Sequence, residues 1–194
     1  MKDFNCKGFL LIALWAIVGF SCKKKEKTDT SDIKGHYFSI NQYALDQWNT
    51  FAGEPFLITK TVKVNSGKAD SSLTNSDTIS WAPIFKLFAE TDISDRKFLE
   101  QYTFTQFDDN QDLTHNFFYQ AKDEDEFTQK LLITIDQYTS KVKGIYIETY
   151  KKTALANTTQ KLYYQPMKEI QVQTDERPAI GSKKYTIVQY IFMR

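Results

Sequence analysis

The chain has 194 residues, a length that suits one domain with a tail, and its Gly (7) and Pro (4) are sparse while Phe (15) and Tyr (11) are abundant. That composition argues against low-complexity disorder and supplies enough large apolar surface for a core. With 25 basic and 24 acidic residues there is no cationic excess of the kind a nucleic-acid binder needs.

The first element reads as an export signal. Lys2 and Lys7 make a basic n-region, diluted by Asp3, and Gly8 to Phe20 is an uncharged apolar run of 13 residues. A spanning helix needs about 20 residues, whereas a signal-peptide h-region has roughly 7–15. Small Ser21 and then Cys22 follow, and the polarity changes at once to KKKEKTDTSD. Val18-Gly19-Phe20-Ser21-Cys22 resembles a lipobox, the site where signal peptidase II cuts before a lipid-modified cysteine, with Gly19 where an aliphatic residue is commonest. With its SCKKK opening, the segment is similar to lipoproteins of the Bacteroidetes type.

The resemblance implies a signal peptide at 1–21, an acylated Cys22 carrying palmitate-type chains, a tether at 22–36 and a single domain at 37–194. Cysteine usage agrees, because Cys6 lies in the segment to be removed and the mature chain is left with one Cys and no internal disulfide. Acylation accounts for a thiol that would otherwise be reactive in an exported protein, and more than one acyl chain anchors a protein firmly. Loss of Lys2, Lys7 and Asp3 leaves basic and acidic residues equal in number. Lys23, Lys24 and Lys25 can meet anionic headgroups at about 1 kcal/mol each. Lys23 also stands where Asp retains many bacterial lipoproteins at the inner membrane, which implies an outer-membrane address with the domain facing the periplasm.

After the tether, a helix is expected from Ile40 to Ala52. Ser39 and Gln42 form a capping-box pattern, Phe38 and Tyr43 a hydrophobic staple, and Tyr37, Ile40, Ala44, Trp48 and Phe51 one apolar stripe. Gly53 and Pro55 supply the stop. Phe56 to Val64 alternates as a strand, Asn65-Ser66-Gly67 is a hairpin loop, and polar Lys68 to Thr74 returns as an edge strand. A second helix is expected from Trp81 to Thr91, capped by Ser80, with Pro83 tolerated in its first turn. Its Trp81, Ile84, Phe85 and Phe88 share a face that covers a sheet or walls a ligand.

From Tyr102 onward the period is two. Tyr102 to Phe107, Leu113 to Ala121, Phe127 to Ile135, Val142 to Lys151, Thr158 to Gln165, Lys168 to Thr174 and Lys184 to Met193 read as strands joined by short polar turns. Short connections require antiparallel pairing. The fold class is therefore α+β: two N-terminal helices packed on a large curled antiparallel β-meander. At fold level this resembles the half-barrels of envelope lipid carriers and the lipocalin-like barrels.

No enzyme motif emerges, and no cofactor or metal is implied. His36 and His115 lack zinc-ligand spacing. Asp108, Asn110 and Asp112 open like a calcium loop, but Leu113 and Tyr119 stand where an EF-hand needs Gly and an acidic residue. Asp123 to Glu126 reads as a solvated acidic turn, and the chain has neither a G-x-S-x-G elbow nor a Gly-rich phosphate loop. An unrecognised hydrolase would need a deep polar cleft of converging carboxylates.

The strongest functional signal is the pair of strands that are apolar on both faces. Ile145 and Ile147 oppose Tyr146 and Tyr150, while Ile187 and Ile191 oppose Val188 and Tyr190. Such strands need two covers, and the helices supply one. Trp81, Tyr146, Tyr150 and Tyr190 are therefore the expected ligand-binding residues, since Tyr and Trp stack sugars or line apolar pockets with a polar tip. The expected function is a non-catalytic binding or interaction module anchored by lipid, holding an apolar ligand or an envelope protein. The alternative is a structural or immunity-type lipoprotein. Replacing Cys22 with Ala is expected to abolish incorporation of labelled palmitate and to leave the signal peptide uncleaved; a variant that still takes up label and is still processed would refute the lipobox reading.

Overall fold

The computed structural model describes residues 37–51 and 54–193. The export signal, Cys22, the tether, His36 and Ala52 at the expected end of the first helix lie outside the described residues.

Each alternating stretch forms a strand and each stretch of helical period a helix. In chain order these are α1 (Ile40–Phe51), β1 (Leu57–Val64), β2 (Asp70–Asn75), α2 (Trp81–Ala89), β3 (Tyr102–Asp109), β4 (Thr114–Ala121), β5 (Thr128–Asp136), β6 (Val142–Lys152), β7 (Ala156–Gln165), β8 (Glu169–Pro178) and β9 (Lys184–Met193). The nine strands make one sheet in the order β2-β1-β9-β8-β7-β6-β5-β4-β3. All neighbouring strands are antiparallel. β3 to β9 are thus the expected meander, and the β1–β2 hairpin joins the free side of β9. The sheet is curled but open, with β2 and β3 as its edges. A lipocalin-like closure does not form, since the end strands β2 and β3 do not pair with each other.

α1 is capped from two directions. Ser39 Oγ accepts from the Gln42 amide at 3.1 Å, and the Phe38 and Tyr43 rings meet at 5.5 Å as a staple. The reciprocal arm of the capping box is missing, since the Gln42 side chain donates to Asp46 instead. Asp92 replaces it, accepting from the Asn41 amide at 2.9 Å and from Ser39 Oγ at 2.7 Å. A carboxylate there also suits the positive end of the helix dipole. α2 starts differently from expectation: Ser80 makes no side-chain cap bond. Trp81 instead donates its indole N–H to the Ser76 carbonyl at 2.8 Å. Buried Ser76 accepts from the Phe56 amide at 2.8 Å and donates to the Glu54 carbonyl at 2.5 Å, tying the entry of β1 to the approach to α2.

The helices pack on one sheet face only. Ile58, Ile145, Ile147, Leu131, Ile133, Leu162 and Ile170 form its aliphatic floor, each at most 1% exposed. Trp81 lies flat on Phe192, with ring centroids 5.8 Å apart at an interplanar angle of 16°. Tyr164, on the central strand β7, meets the edges of Tyr43 from α1 and of Phe85 and Phe88 from α2 at about 6 Å. Its hydroxyl donates to Gln47 Oε1 at 2.5 Å. A fully buried large aliphatic side chain leaves a cavity when truncated. Leu162→Ala, at a site with 0% exposure, is expected to cost about 2–5 kcal/mol in equilibrium urea unfolding, with the slope of the transition unchanged.

Candidate binding site on the open sheet face

Alternation sends every second side chain of the meander away from the helices. Cross-strand registers arrange these outward residues in rows. One row is Phe118, Leu132, Tyr146, Tyr163 and Gln171, running from β4 to β8. To one side lies Lys130, Glu148 and Lys161. To the other lies Phe107, Asn116, Thr134 and Gly144. Most of these residues are half-buried although no helix among the described residues covers them.

The four residues expected to bind a ligand do not converge. Trp81 and Tyr190 meet under the helices, with ring centroids 5.8 Å apart, and both are buried. They are core. Tyr146 and Tyr150 lie on the open face of β6 but line different depressions. Tyr150 borders a wider, more open groove of about 690 Å³ with Glu90, Asp125, Phe127, Lys151 and Lys152. Tyr146 borders a cavity of about 470 Å³ together with Phe107, Asn116, Leu132, Thr134, Gly144, Tyr163 and Gln165. This second cavity is the candidate site. Among its lining residues, Phe107, Asn116 and Gly144 were not singled out by sequence reasoning. Gly144 carried a usable signal: an isolated glycine inside a strand points to a bulge or a close backbone approach.

The backbone around Gly144 explains the cavity. The β5–β6 register slips between Thr134, which faces Gly144, and Ile135, which faces Val142, so Lys143 is the extra residue of a bulge. Lys143 Nζ thereby reaches the Asp112 carbonyl at 3.1 Å and Asp136 Oδ2 at 3.9 Å, which joins the β3–β4 turn to β6 at the cavity rim. A glycine within a strand is less stable than alanine by about 0.5–1 kcal/mol. Here a Cβ would meet only the Tyr164 carbonyl, at 3.7 Å, an ordinary contact. Packing therefore does not demand glycine, and its missing side chain leaves the floor open.

Beside Gly144 the floor is polar. Asn116 is 6% exposed and Thr114 3% exposed. Asn116 Oδ1 accepts from the Thr134 hydroxyl at 2.9 Å, and its amide donates to Thr114 Oγ1 at 3.1 Å. These bonds fix which way the amide faces. At the rim, Asp109 Oδ1 accepts from the amides of Gln111 and Asp112 at 2.9 and 3.2 Å. The run that began like a calcium loop is thus an Asx-type hairpin turn. Among the described residues no group of three or more His, Cys, Asp and Glu is placed to hold a metal ion. His115 pairs with Asp108 at 2.6 Å on the exposed surface, and Gln129 ties the acidic turn by donating to the carbonyls of Asp123, Glu124 and Glu126.

Next to the cavity, Glu148 sits between two lysines. It accepts from the Tyr146 hydroxyl at 2.5 Å and pairs with Lys130 at 3.1 Å and Lys161 at 3.8 Å. Partial burial raises its pKa, but the bonds from Tyr146 and Lys130 and the two ammonium charges outweigh that and hold it below its ordinary 4.5. Burial, and then the bond to Glu148, push the Tyr146 phenol up, so it stays a neutral donor. A carboxylate depressed in the folded state stabilises the fold above its unfolded pKa, and the contribution is lost as pH falls through the folded value. Glu148→Gln is therefore expected to lower the urea midpoint at pH 7, and the difference from wild type is expected to shrink below pH 4.5. A difference that persists at acid pH would assign the effect to packing instead. No protein-family model, no curated protein and no solved structure matches the chain.

Proposed function

We propose that the chain is an envelope lipoprotein, acylated at Cys22, held in the outer membrane facing the periplasm, with a non-catalytic binding module at 37–194. The observation that carries the binding role is the uncovered sheet face, where half-buried Tyr146 and Tyr163 border a cavity of about 470 Å³. Two-faced strands need a second cover, and no element among the described residues provides it. An apolar ligand is the occupant expected there from sequence, in the manner of the half-barrels of envelope carriers. Phe107, Leu132 and the two tyrosines suit an apolar surface, whereas Asn116, Thr134 and Gln165 add polar partners. The ligand therefore presents an apolar face with a polar edge.

The lipid reading rests on the h-region, its junction with Cys22 and the basic residues that follow. Among the described residues no helix is long and apolar enough to cross a membrane. A protein partner is the second reading. It is favoured by an apolar groove of about 290 Å³ between the helices, lined by Leu45, Trp48, Ala82 and Phe85.

Native mass spectrometry of the lipidated protein, extracted from membranes in a non-ionic detergent, tests the binding role. A stoichiometric mass above that of the lipidated chain is expected, and Tyr163→Ala is expected to remove it. A bare lipidated mass would overturn ligand binding and leave the helix groove as the place for a protein partner.

A further inference from the structure

We propose that the Gly144 cavity is a binding site for a neutral saccharide of one or two rings. The proposal rests on the reading of the open face as the binding surface and names the class of its ligand.

The lining decides the class by elimination. An anionic ligand would need cations aimed into the cavity. Lys143 is the cation among the lining residues, and it is engaged by the Asp112 carbonyl and lies near Asp136, while Asp109 and Asp112 add negative charge at the rim. A wholly apolar chain would dry out the floor, where Asn116 and Thr114 are more than nine-tenths buried. An amide carries two N–H donors, and Asn116 uses one of them on Thr114. The second amide proton and the Thr114 hydroxyl proton have no acceptor among the described residues. A covered polar group left unmatched is costly, so the occupant must bring acceptors to the floor.

A saccharide meets both demands. Its C–H faces pack on aromatic rings, here Phe107, Tyr146 and Tyr163, and its hydroxyls both donate and accept. Asn116 and Gln165 provide amides, and Asp112 at the rim takes hydroxyl protons. The Tyr146 hydroxyl is held by Glu148, which restrains the ring. A volume of about 470 Å³ falls within the range of small-molecule sites, roughly 300–1,000 Å³. Gly144 fits the same account, since a bare strand backbone lets a ring approach where a side chain would block it.

The test uses the lipidated protein in a non-glycosidic detergent, on a printed array of bacterial, plant and animal glycans. The best-retained glycan's terminal disaccharide is then titrated calorimetrically. Retention is expected, and Gly144→Leu, which fills the cavity, is expected to weaken binding at least about tenfold with a melting curve no lower than the wild type's. Phe107→Ala, at a side chain 47% exposed, removes one ring without touching the core and is expected to weaken binding in the same direction. An array on which nothing is retained overturns the saccharide, as does retention indifferent to both substitutions. If the array is blank while Tyr163→Ala still removes a bound mass in native mass spectrometry, the open face stands as a binding surface for another class of ligand. If both are blank, both readings fall.

Discussion

The fold depends on the contact between Tyr164 and the two helices. Tyr164 sits on the central strand of the sheet, 2% exposed, and touches α1 through Tyr43 and Gln47 and α2 through Phe85 and Phe88. A buried aromatic of this size contributes on the order of 1.5–3 kcal/mol through burial, and its edge-to-face partners add about 0.5–1.5 kcal/mol each. Burial drives its phenol pKa up, so the hydroxyl remains a neutral donor to Gln47 at any working pH. One side chain thus locates both helices against one face. The Asp92 cap and the Ser76 bridge are consistent with that placement, since each ties a helix entry to a chain segment that passes beside it.

Committing both helices to one face determines the character of the other. The covered face takes the aliphatic residues and Trp81, Tyr190 and Phe192, and the open face takes Tyr146, Glu148, Lys161, Tyr163 and Gln171. An uncovered sheet that was apolar throughout would associate with other sheets. The Lys130–Glu148–Lys161 ladder places charge on this one without covering it, which opposes such association. Polar β2 does the same for one edge, with Leu73 as its exposed apolar residue.

The architecture was legible because period-two alternation is a local property. All nine strands, both helices, the polar edge at β2 and the Phe38–Tyr43 staple follow from neighbouring residues. The site was far less legible, because it depends on register. The sequence of β6 shows that Tyr146 and Tyr150 share a face, but only the pairing with β5 and β7 puts Tyr146 beside Leu132 and Tyr163, and Tyr150 beside Thr159. Trp81 and Tyr190 looked like ligand walls for the same reason they are core: a large aromatic at an apolar position serves either role until its cover is known. The Asp92 cap joins residues distant in sequence, and the Lys143 bulge is a matter of register, so both lie beyond the reach of pattern reading. Gly144 was the exception, a lone glycine in a strand of Ile and Tyr whose meaning waited only on the question of what a side chain there would strike.

Stability and recognition are therefore separable in this fold. Positions that face the helices hold the domain together, and a change there is felt throughout a core packed to crystal-like density. Among the described residues, positions on the open face meet mainly sheet neighbours and solvent, so they can vary in ring, amide or charge at small cost to the fold. The bulge at Lys143 and the absence of a side chain at Gly144 shape the cavity from backbone that the core already fixes, through Ile145 and Ile133 on the other face of the same strands. A site built on rigid strands, with its floor supported from behind by the core, is preorganised before a ligand arrives, and less binding energy is lost to ordering it.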